Sequence, residues 1–171
     1  WCEKRDLAIS ATAAIGFLTN CTGNRFGQVT ARPDGVQVIP ARGGRTHLMA
    51  TLHRLTSTPR AETGTTDLAA AIARTTVLAR RRGLAVVVSD FLSDPEVWSP
   101  ALRRLATRHE TIAVEVLDPR ELTLPDVGVL AVVDPATGET REVPTAKKKL
   151  RERYAAAAAD QRATIAQGIR A

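Results

Sequence analysis

One aspartate and two neighbouring threonines are the residues of this sequence whose types and positions suggest a binding site. Asp90 follows the apolar run Leu84–Val88 after one serine, and Thr65 and Thr66 lie in a loop before a predicted helix. In open α/β sheets, ligands bind beyond the carboxyl ends of the strands. A carboxylate and a hydroxyl in that position offer oxygen ligands to a hard cation such as Mg²⁺. The alternative is a capping role, in which Asp90 and Thr66 only accept hydrogen bonds from backbone N–H groups.

The elements around these residues follow from the spacing of apolar side chains. The run Leu84–Val88 is continuous rather than alternating, which is typical of a strand buried on both faces in a parallel sheet. Before it we expect a helix that Thr65 or Thr66 caps and that ends at about Arg82. After it, Asp94 is a suitable cap and Pro95 suits a first helical turn. The apolar face of this following helix consists of Trp98, Leu102 and Leu105.

The rest of the chain divides into further helices and short strands. A stripe of Leu48, Leu52 and Leu55 marks the buried face of one of the helices. The predicted elements are a helix over Glu3–Asn20, a hairpin of Phe26–Ala31 and Val36–Ile39 that Pro40 ends, a helix over Arg45–Leu55, a strand over Thr111–Val116, a hairpin of Gly128–Val133 and Glu139–Val143 with its turn at 135–138, and a helix over Ala146–Ile169.

This order of elements predicts the α/β class. Helices alternating with a buried apolar strand favour a doubly wound, mostly parallel sheet with helices on both faces. The length of 171 residues fits one domain, 1–171. Because doubly wound domains usually open with a central strand and the first element here is a helix, we expect a first strand upstream of Trp1 that this chain lacks.

Composition and motifs exclude several functional classes. No apolar run approaches the roughly 20 residues that span a bilayer, and neither a phosphate-binding loop nor a G-x-S-x-G motif is present. The three histidines lie on different elements without a spacing typical of zinc sites. Cys2 and Cys21 would lie about 28 Å apart at the ends of one helix, too far for a disulfide. Reduced thiols favour a cytoplasmic protein.

Several stretches of the chain resemble a known bacterial family. GTTDLAAAI, RRGLAVVVSDFLSD, RRLATRHETIAVEVLDPRELTLPDVG and DPATGE are similar to the fifty-eighth family in the domain-of-unknown-function series, whose members carry a von Willebrand factor A-like domain. The resemblance covers nearly the whole chain. Members of that family are commonly linked with MoxR-type AAA+ ATPases, which implies a protein-interaction or chaperone-like role.

The resemblance also implies a metal-ion-dependent adhesion site. In the wider fold a D-x-S-x-S loop, a threonine and an aspartate surround Mg²⁺; here Thr66 matches the threonine and Asp90 the aspartate. The D-x-S-x-S loop is absent and would fall just before Cys2. Thr65 and Phe91 each stand where glycine is common. The resemblance therefore implies a partial site that binds Mg²⁺ weakly or not at all, and partner contacts at Thr65, Thr66, Asp90 and Phe91.

The function expected from these observations is a protein-interaction module without enzymatic activity, whose partner is a MoxR-type AAA+ ATPase. We expect no small-molecule substrate, and any membrane association would depend on segments outside this chain. One alternative is a metal-assisted hydrolase on the same fold. The chain has a net charge of +6, and the other alternative is nucleic-acid binding through the basic residues of the last helix, Lys147, Lys148, Lys149, Arg151 and Arg153. An aromatic content of 4% argues against base stacking.

Overall fold

A computed structural model describes residues 3–20, 23–61, 64–133 and 138–170. The helices are α1 (Lys4–Asn20), α2 (Arg45–Ser57), α3 (Leu68–Leu78), α4 (Pro95–Ala106) and α5 (Lys148–Arg170). The strands are β1 (Arg25–Arg32), β2 (Gly35–Gly43), β3 (Leu84–Ser89), β4 (Glu110–Glu115), β5 (Val129–Val133) and β6 (Thr140–Pro144). The two cysteines and the turn at 135–137 lie outside the described residues, so the predictions made for them stay predictions.

Within the described residues, the strands form three sheets of two strands each. β1 and β2 pair as an antiparallel hairpin, as do β5 and β6, whereas β3 and β4 are parallel. A parallel pair needs a long crossover connection, and α4 supplies it here. The mixed α/β class is therefore confirmed. Of the predicted doubly wound sheet, the described residues show two parallel strands, and the larger sheet stays a prediction.

The hydrophobic core lies between β3 and the helices α3, α4 and α5. Its buried members are Ile72, Ala85, Phe91, Trp98, Leu102, Leu105 and Ile165. The predicted apolar face of α4 is confirmed, since Trp98, Leu102 and Leu105 are all buried. Its predicted start is confirmed as well, because Asp94 Oδ1 accepts a hydrogen bond from the Glu96 N–H at 2.9 Å and Pro95 occupies the first turn.

A second contact region joins α1 to α2. Leu48 and Leu52 on α2 are buried as predicted, and the Leu48 side chain packs against Gly16 of α1. The Arg5 guanidinium donates hydrogen bonds to the carbonyls of Leu55, Thr56 and Thr58 at the carboxyl end of α2. Because these carbonyls have no partner within the helix, Arg5 both caps α2 and holds the first turn of α1 beside it.

Two predictions about helix α3 are wrong. Asp67, not Thr65 or Thr66, is the cap: its Oδ1 accepts from the Ala70 N–H at 2.8 Å, and aspartate also interacts favourably with the helix dipole. The helix ends at Leu78 rather than Arg82. Leu78 is 42% exposed and three arginines follow it, so a longer helix would gain no further apolar packing.

Two predictions about strands also need correction. β2 continues through Pro40 to Gly43, because a bulge between Phe26 and Gln28 leaves an irregular step opposite the proline, where no ladder N–H is needed. The run Leu84–Val88 is not fully buried on both faces: Leu84 is 44% exposed and the valines are half-buried. Of the strands that the structure describes, β4 is the one that pairs with β3, and a single neighbour covers too little of β3 to bury it completely.

Candidate functional site

Asp90 lies directly after β3, at the carboxyl end of the parallel sheet, as predicted. Both of its carboxylate oxygens accept hydrogen bonds: Oδ1 from the Leu92 N–H at 3.3 Å and Oδ2 from Lys4 Nζ at 3.0 Å. The side chain nevertheless remains 40% exposed. The carboxylate is thus held in one orientation and is still accessible from solvent.

Lys4 brings a second carboxylate to this position. Its Nζ lies 2.7 Å from Glu121 Oε1 and 3.0 Å from Asp90 Oδ2. Lys4 is in the first turn of α1, and Glu121 is in a short 3-10 turn, Pro119–Glu121, that follows β4. We call these three residues the Lys4 cluster. Because the carboxyl ends of β3 and β4 lie at the same edge, the turns after them converge there.

The Lys4 cluster carries two carboxylates and one ammonium group. Its formal charge is therefore −1 on a chain whose net charge is +6. Glu121 Oε2 is buried and has no hydrogen-bond partner among the described residues. A buried carboxylate oxygen without a donor is unfavourable.

The pKa of Lys4 depends on two opposing influences, the burial of its ammonium group and its ion pairs with Glu121 and Asp90. Partial burial of the ammonium group lowers its pKa, but the hydrogen bonds from Lys4 to Glu121 and Asp90, together with their negative charges, outweigh burial. The pKa is raised from its ordinary value of 10.5. Since the raised pKa belongs to the folded state, this ion pair stabilises the fold fully below about pH 10.5 and loses that contribution as the pH rises through the folded pKa.

We expect the variant Lys4→Met to show a smaller loss of stability in alkali than the wild type. Urea unfolding between about pH 9 and 12 would measure this, because only the wild type loses the Lys4 ion pairs in that window. Lys149→Met is the matched control, since Lys149 is exposed on α5. Identical pH profiles for the wild type and Lys4→Met would show that the Lys4 cluster does not contribute to folding.

Phe91 was predicted to contact a partner, but its side chain lies in the core. Its side chain is fully buried, with its ring centroid 5.1 Å from that of Trp98, so it belongs to the core and offers no side chain to a partner. Its backbone has φ 53°, the left-handed region, which costs a non-glycine residue about 1–3 kcal/mol. Glycine adopts this conformation without strain.

Thr65 and Thr66 are exposed in the loop before α3, and Gly64 precedes them with φ 107°. The hydrogen bonds of the Asp90 carboxylate go to Lys4 and Leu92, not to Thr66. Among the described residues, no three His, Cys, Asp or Glu side chains form a group that could hold a metal ion. Because the one implied carboxylate ligand is already paired with an ammonium group, these residues do not fit a Mg²⁺ site.

Sequence reasoning missed Lys4 and Glu121. Lys4 and Asp90 are 86 residues apart, and each charged residue reads by itself as a solvated surface group. One signal was available for Glu121: it follows the second predicted parallel strand by a few residues, as Asp90 follows the first. No comparable signal exists for Lys4, since its position depends on how α1 packs against the sheet.

Some of the basic residues at the start of α5 form ion pairs within the chain, and others are exposed to solvent. Lys147, Lys149 and Arg153 are exposed, whereas Lys148 lies 3.7 Å from Glu152. Arg151 forms an ion pair with Asp126 at 3.0 Å and donates a hydrogen bond to the Thr145 carbonyl. Arg151 thus holds the β6–α5 connection in place. Nucleic-acid binding through this helix would depend on Lys147, Lys149 and Arg153 and stays an untested alternative.

The chain is similar to one protein family and to several mycobacterial proteins. The model of the protein family described as "Protein of unknown function DUF58" matches residues 1–164. The chain belongs to the DUF58 family. Uncharacterized protein Mb1516 of Mycobacterium bovis and uncharacterized protein Rv1480 of Mycobacterium tuberculosis are each 46% identical to it over 170 residues, which cover 99% of this chain and 53% of each relative. Uncharacterized protein MAV169 of Mycobacterium avium is 47% identical over 133 residues, or 77% of this chain and 78% of the relative.

The DUF58 chain spans about half the length of the first two of these relatives. No solved structure matches it. Among the described helices, none combines the length and the apolar character that crossing a bilayer requires.

Proposed function

We propose that this DUF58 chain is a protein-interaction module without catalytic activity, and that it binds its partner at the crevice beyond the carboxyl end of β3. The Lys4 cluster is the observation that supports this most directly. It is an ordered, partly exposed group of charges at the edge of a parallel sheet, where ligands of α/β domains bind. The proposal includes the von Willebrand factor A-like, doubly wound fold that the resemblance implies.

The charge of the crevice favours a basic contact group on the partner. Asp90 remains accessible, and Glu121 has an oxygen without a donor among the described residues. An arginine or lysine from the partner would pair with the accessible Asp90 carboxylate and compensate the surplus negative charge. In the metal-dependent alternative, the bound ion would instead accept a carboxylate from the partner. The ion pair between Lys4 and Asp90 argues for weak Mg²⁺ binding and therefore for the basic contact.

The partner that the family resemblance implies is a MoxR-type AAA+ ATPase, and the role is chaperone-like or concerned with assembly. A hydrolase on the same scaffold is less well supported. Ser89 Oγ accepts a hydrogen bond from the Phe91 N–H, and none of its recorded hydrogen bonds involves a base that would activate it.

The variant Asp90→Asn tests the proposal. Calorimetry with a MoxR-type ATPase from the same genome should show binding by the wild type, and about tenfold weaker binding by the variant, because a partly exposed charge pair is lost. The amide retains an oxygen that accepts from Leu92, so the turn is preserved. Binding should persist in the presence of EDTA.

Asp160→Asn is the matched control, because Asp160 is exposed on α5 and lies far along the chain from the crevice. It should bind as the wild type does. Equal affinity of Asp90→Asn and the wild type would exclude the crevice as the contact site. Loss of wild-type binding in EDTA would instead support a metal-mediated contact.

A further inference from the structure

Exposed arginines gather at the amino end of the parallel sheet, the end opposite the crevice. β3 and β4 pair in register from Leu84 and Glu110 onward, and the Glu110 N–H donates a hydrogen bond to the Gly83 carbonyl at 3.1 Å. The connections that enter the two strands, one after α3 and one after α4, therefore lie side by side. Together with the last turn of α4 they carry six exposed arginines, which we call the arginine cluster: Arg80, Arg81, Arg82, Arg103, Arg104 and Arg108.

The charge of the arginine cluster is not compensated by the described residues. None of the six guanidinium groups forms an ion pair with a described carboxylate. Residues 79–84 and 103–110 contain these six arginines and one acidic residue, Glu110, so their formal charge is +5 in a chain whose net charge is +6. Like charges without counter-charges repel each other. The cluster is therefore unfavourable for the fold by itself, and an external anionic group would stabilise it.

Stabilisation of helix ends accounts for only part of the cluster. Cations interact favourably with the carboxyl end of a helix, but the effect falls off within the last turn. Arg103 and Arg104 lie in the last turn of α4. The other four arginines follow the ends of α3 and α4. Their concentration at one end of the sheet calls for another explanation.

Two open clefts at this end of the sheet place guanidinium groups beside apolar surface. The first has a volume of about 470 Å³ and lies between α4, β4 and the end of α5, with walls that include Leu102, Ala106, Ala113, Ile169, Arg103 and Arg170. The second has a volume of about 650 Å³ and is lined by Arg82, Gly83, Leu84, His109 and Glu110. Leu84 is 44% exposed, so apolar surface is accessible beside Arg82.

We propose that the arginine cluster binds an acidic segment of a partner protein, and that apolar side chains of this segment enter the two clefts. Guanidinium groups form bidentate hydrogen bonds with carboxylates. Leucine or isoleucine side chains fit apolar clefts, whereas a sugar–phosphate backbone gains nothing from them. Residues 79–84 and 103–110 also contain no Phe, Tyr or Trp on which bases could stack. The combination favours an acidic protein segment over a nucleic acid.

This surface is separate from the crevice of the proposed function. Asp90 lies beyond the carboxyl end of β3, and the arginine cluster lies at its amino end, roughly 20 Å away for a strand of this length. The crevice carries surplus negative charge and the cluster carries positive charge. The two ends of the sheet therefore select contact groups of opposite charge.

Fluorescence anisotropy with the full-length protein and synthetic labelled peptides tests this inference. A peptide that alternates glutamate with leucine should bind, and one that alternates glutamate with serine should bind about tenfold more weakly, because it has no apolar side chain to bury in the clefts. Combined replacement of Arg80, Arg81 and Arg82 by glutamine should weaken binding of the glutamate–leucine peptide about tenfold or more. The matched control replaces Lys147, Lys149 and Arg153 by glutamine, which removes the same charge from exposed positions near the start of α5, and it should stay within about twofold of the wild type.

The proposal is overturned if the wild type does not bind the glutamate–leucine peptide, or if both triple variants lose binding equally. Equal affinity for the two peptides would contradict the role of the clefts. Tighter binding of a double-stranded DNA fragment, lost in the arginine variant alone, would make the cluster a nucleic-acid site instead.

Thermal unfolding checks that the arginine variant folds. Because the arginines repel each other, their replacement should leave Tm unchanged or raise it. If that variant does not fold, Arg103→Gln combined with Arg170→Gln, at the first cleft, provides the same test with the same peptides. None of these measurements involves Asp90, so this proposal and the proposed function fail separately.

Discussion

Replacing Trp98 by alanine should lower the free energy of unfolding by about 3–5 kcal/mol. Trp98 is fully buried, its ring packs against Phe91, and its indole N–H donates a hydrogen bond to the Ser93 carbonyl at 3.0 Å. The ring also lies where a Cβ on Gly168 would meet it, so it fills the space between α4 and α5. Alanine would leave a cavity in the centre of the core.

Urea denaturation would measure this loss, with Val97→Ala as the matched control. Val97 is the neighbouring residue on α4 but is 60% exposed, so its truncation should change stability by no more than about 0.5 kcal/mol. Comparable effects of the two substitutions would show that the core is not built around Trp98. Because the Phe91 ring, next to Asp90, packs against Trp98, Trp98→Ala should also weaken the proposed binding at the crevice.

Gly16→Ala should destabilise the protein by about 1–3 kcal/mol, although alanine is the better helix former. A Cβ at position 16 would lie 2.6 Å from Leu48 Cδ1, and because Leu48 is fully buried, its side chain would have to repack within the core. The gain in helix propensity is about 1 kcal/mol. The steric overlap between α1 and α2 therefore decides the sign of the effect.

Introducing Gly16→Ala into the Leu48→Ala variant tests whether steric overlap with Leu48 causes the destabilisation. Leu48→Ala alone should cost about 2–5 kcal/mol, but Gly16→Ala added to it should be neutral or stabilising, since the obstructing methyl groups are gone. Thermal unfolding of the two single variants and the double variant gives the coupling free energy. Additive effects would mean that Gly16 and Leu48 do not meet in the folded protein.

Only part of the environment of Asp90 could be predicted from the sequence. Its location at the end of a parallel strand was predicted, because the apolar run before it and the polar residues after it are local signals. The groups that surround its carboxylate were not predicted. Lys4 and Glu121 come from elements that are distant in the chain, and they place an ammonium group between two carboxylates.

At Phe91, the sequence showed that the residue is unusual, but the predicted reason for it was different from the one that the structure gives. The sequence shows a phenylalanine where the resemblance leads us to expect glycine, and its place beside Asp90 suggested a partner contact. The structure gives a different reason for the residue. The backbone takes the left-handed conformation that glycine would favour, and burial of the ring against Trp98 compensates for the strain.

The sequence alone determined the local features of this DUF58 protein. These are the bounds of most helices and strands, the cap of α4 at Asp94 and the apolar face of α4, because each depends on hydrogen bonds and side-chain spacing within a few residues. The tertiary structure decided where α3 ends, how β2 passes Pro40 and which charges surround Asp90. Those outcomes depend on packing and pairing between distant segments, and no pattern within one segment of the chain contains them.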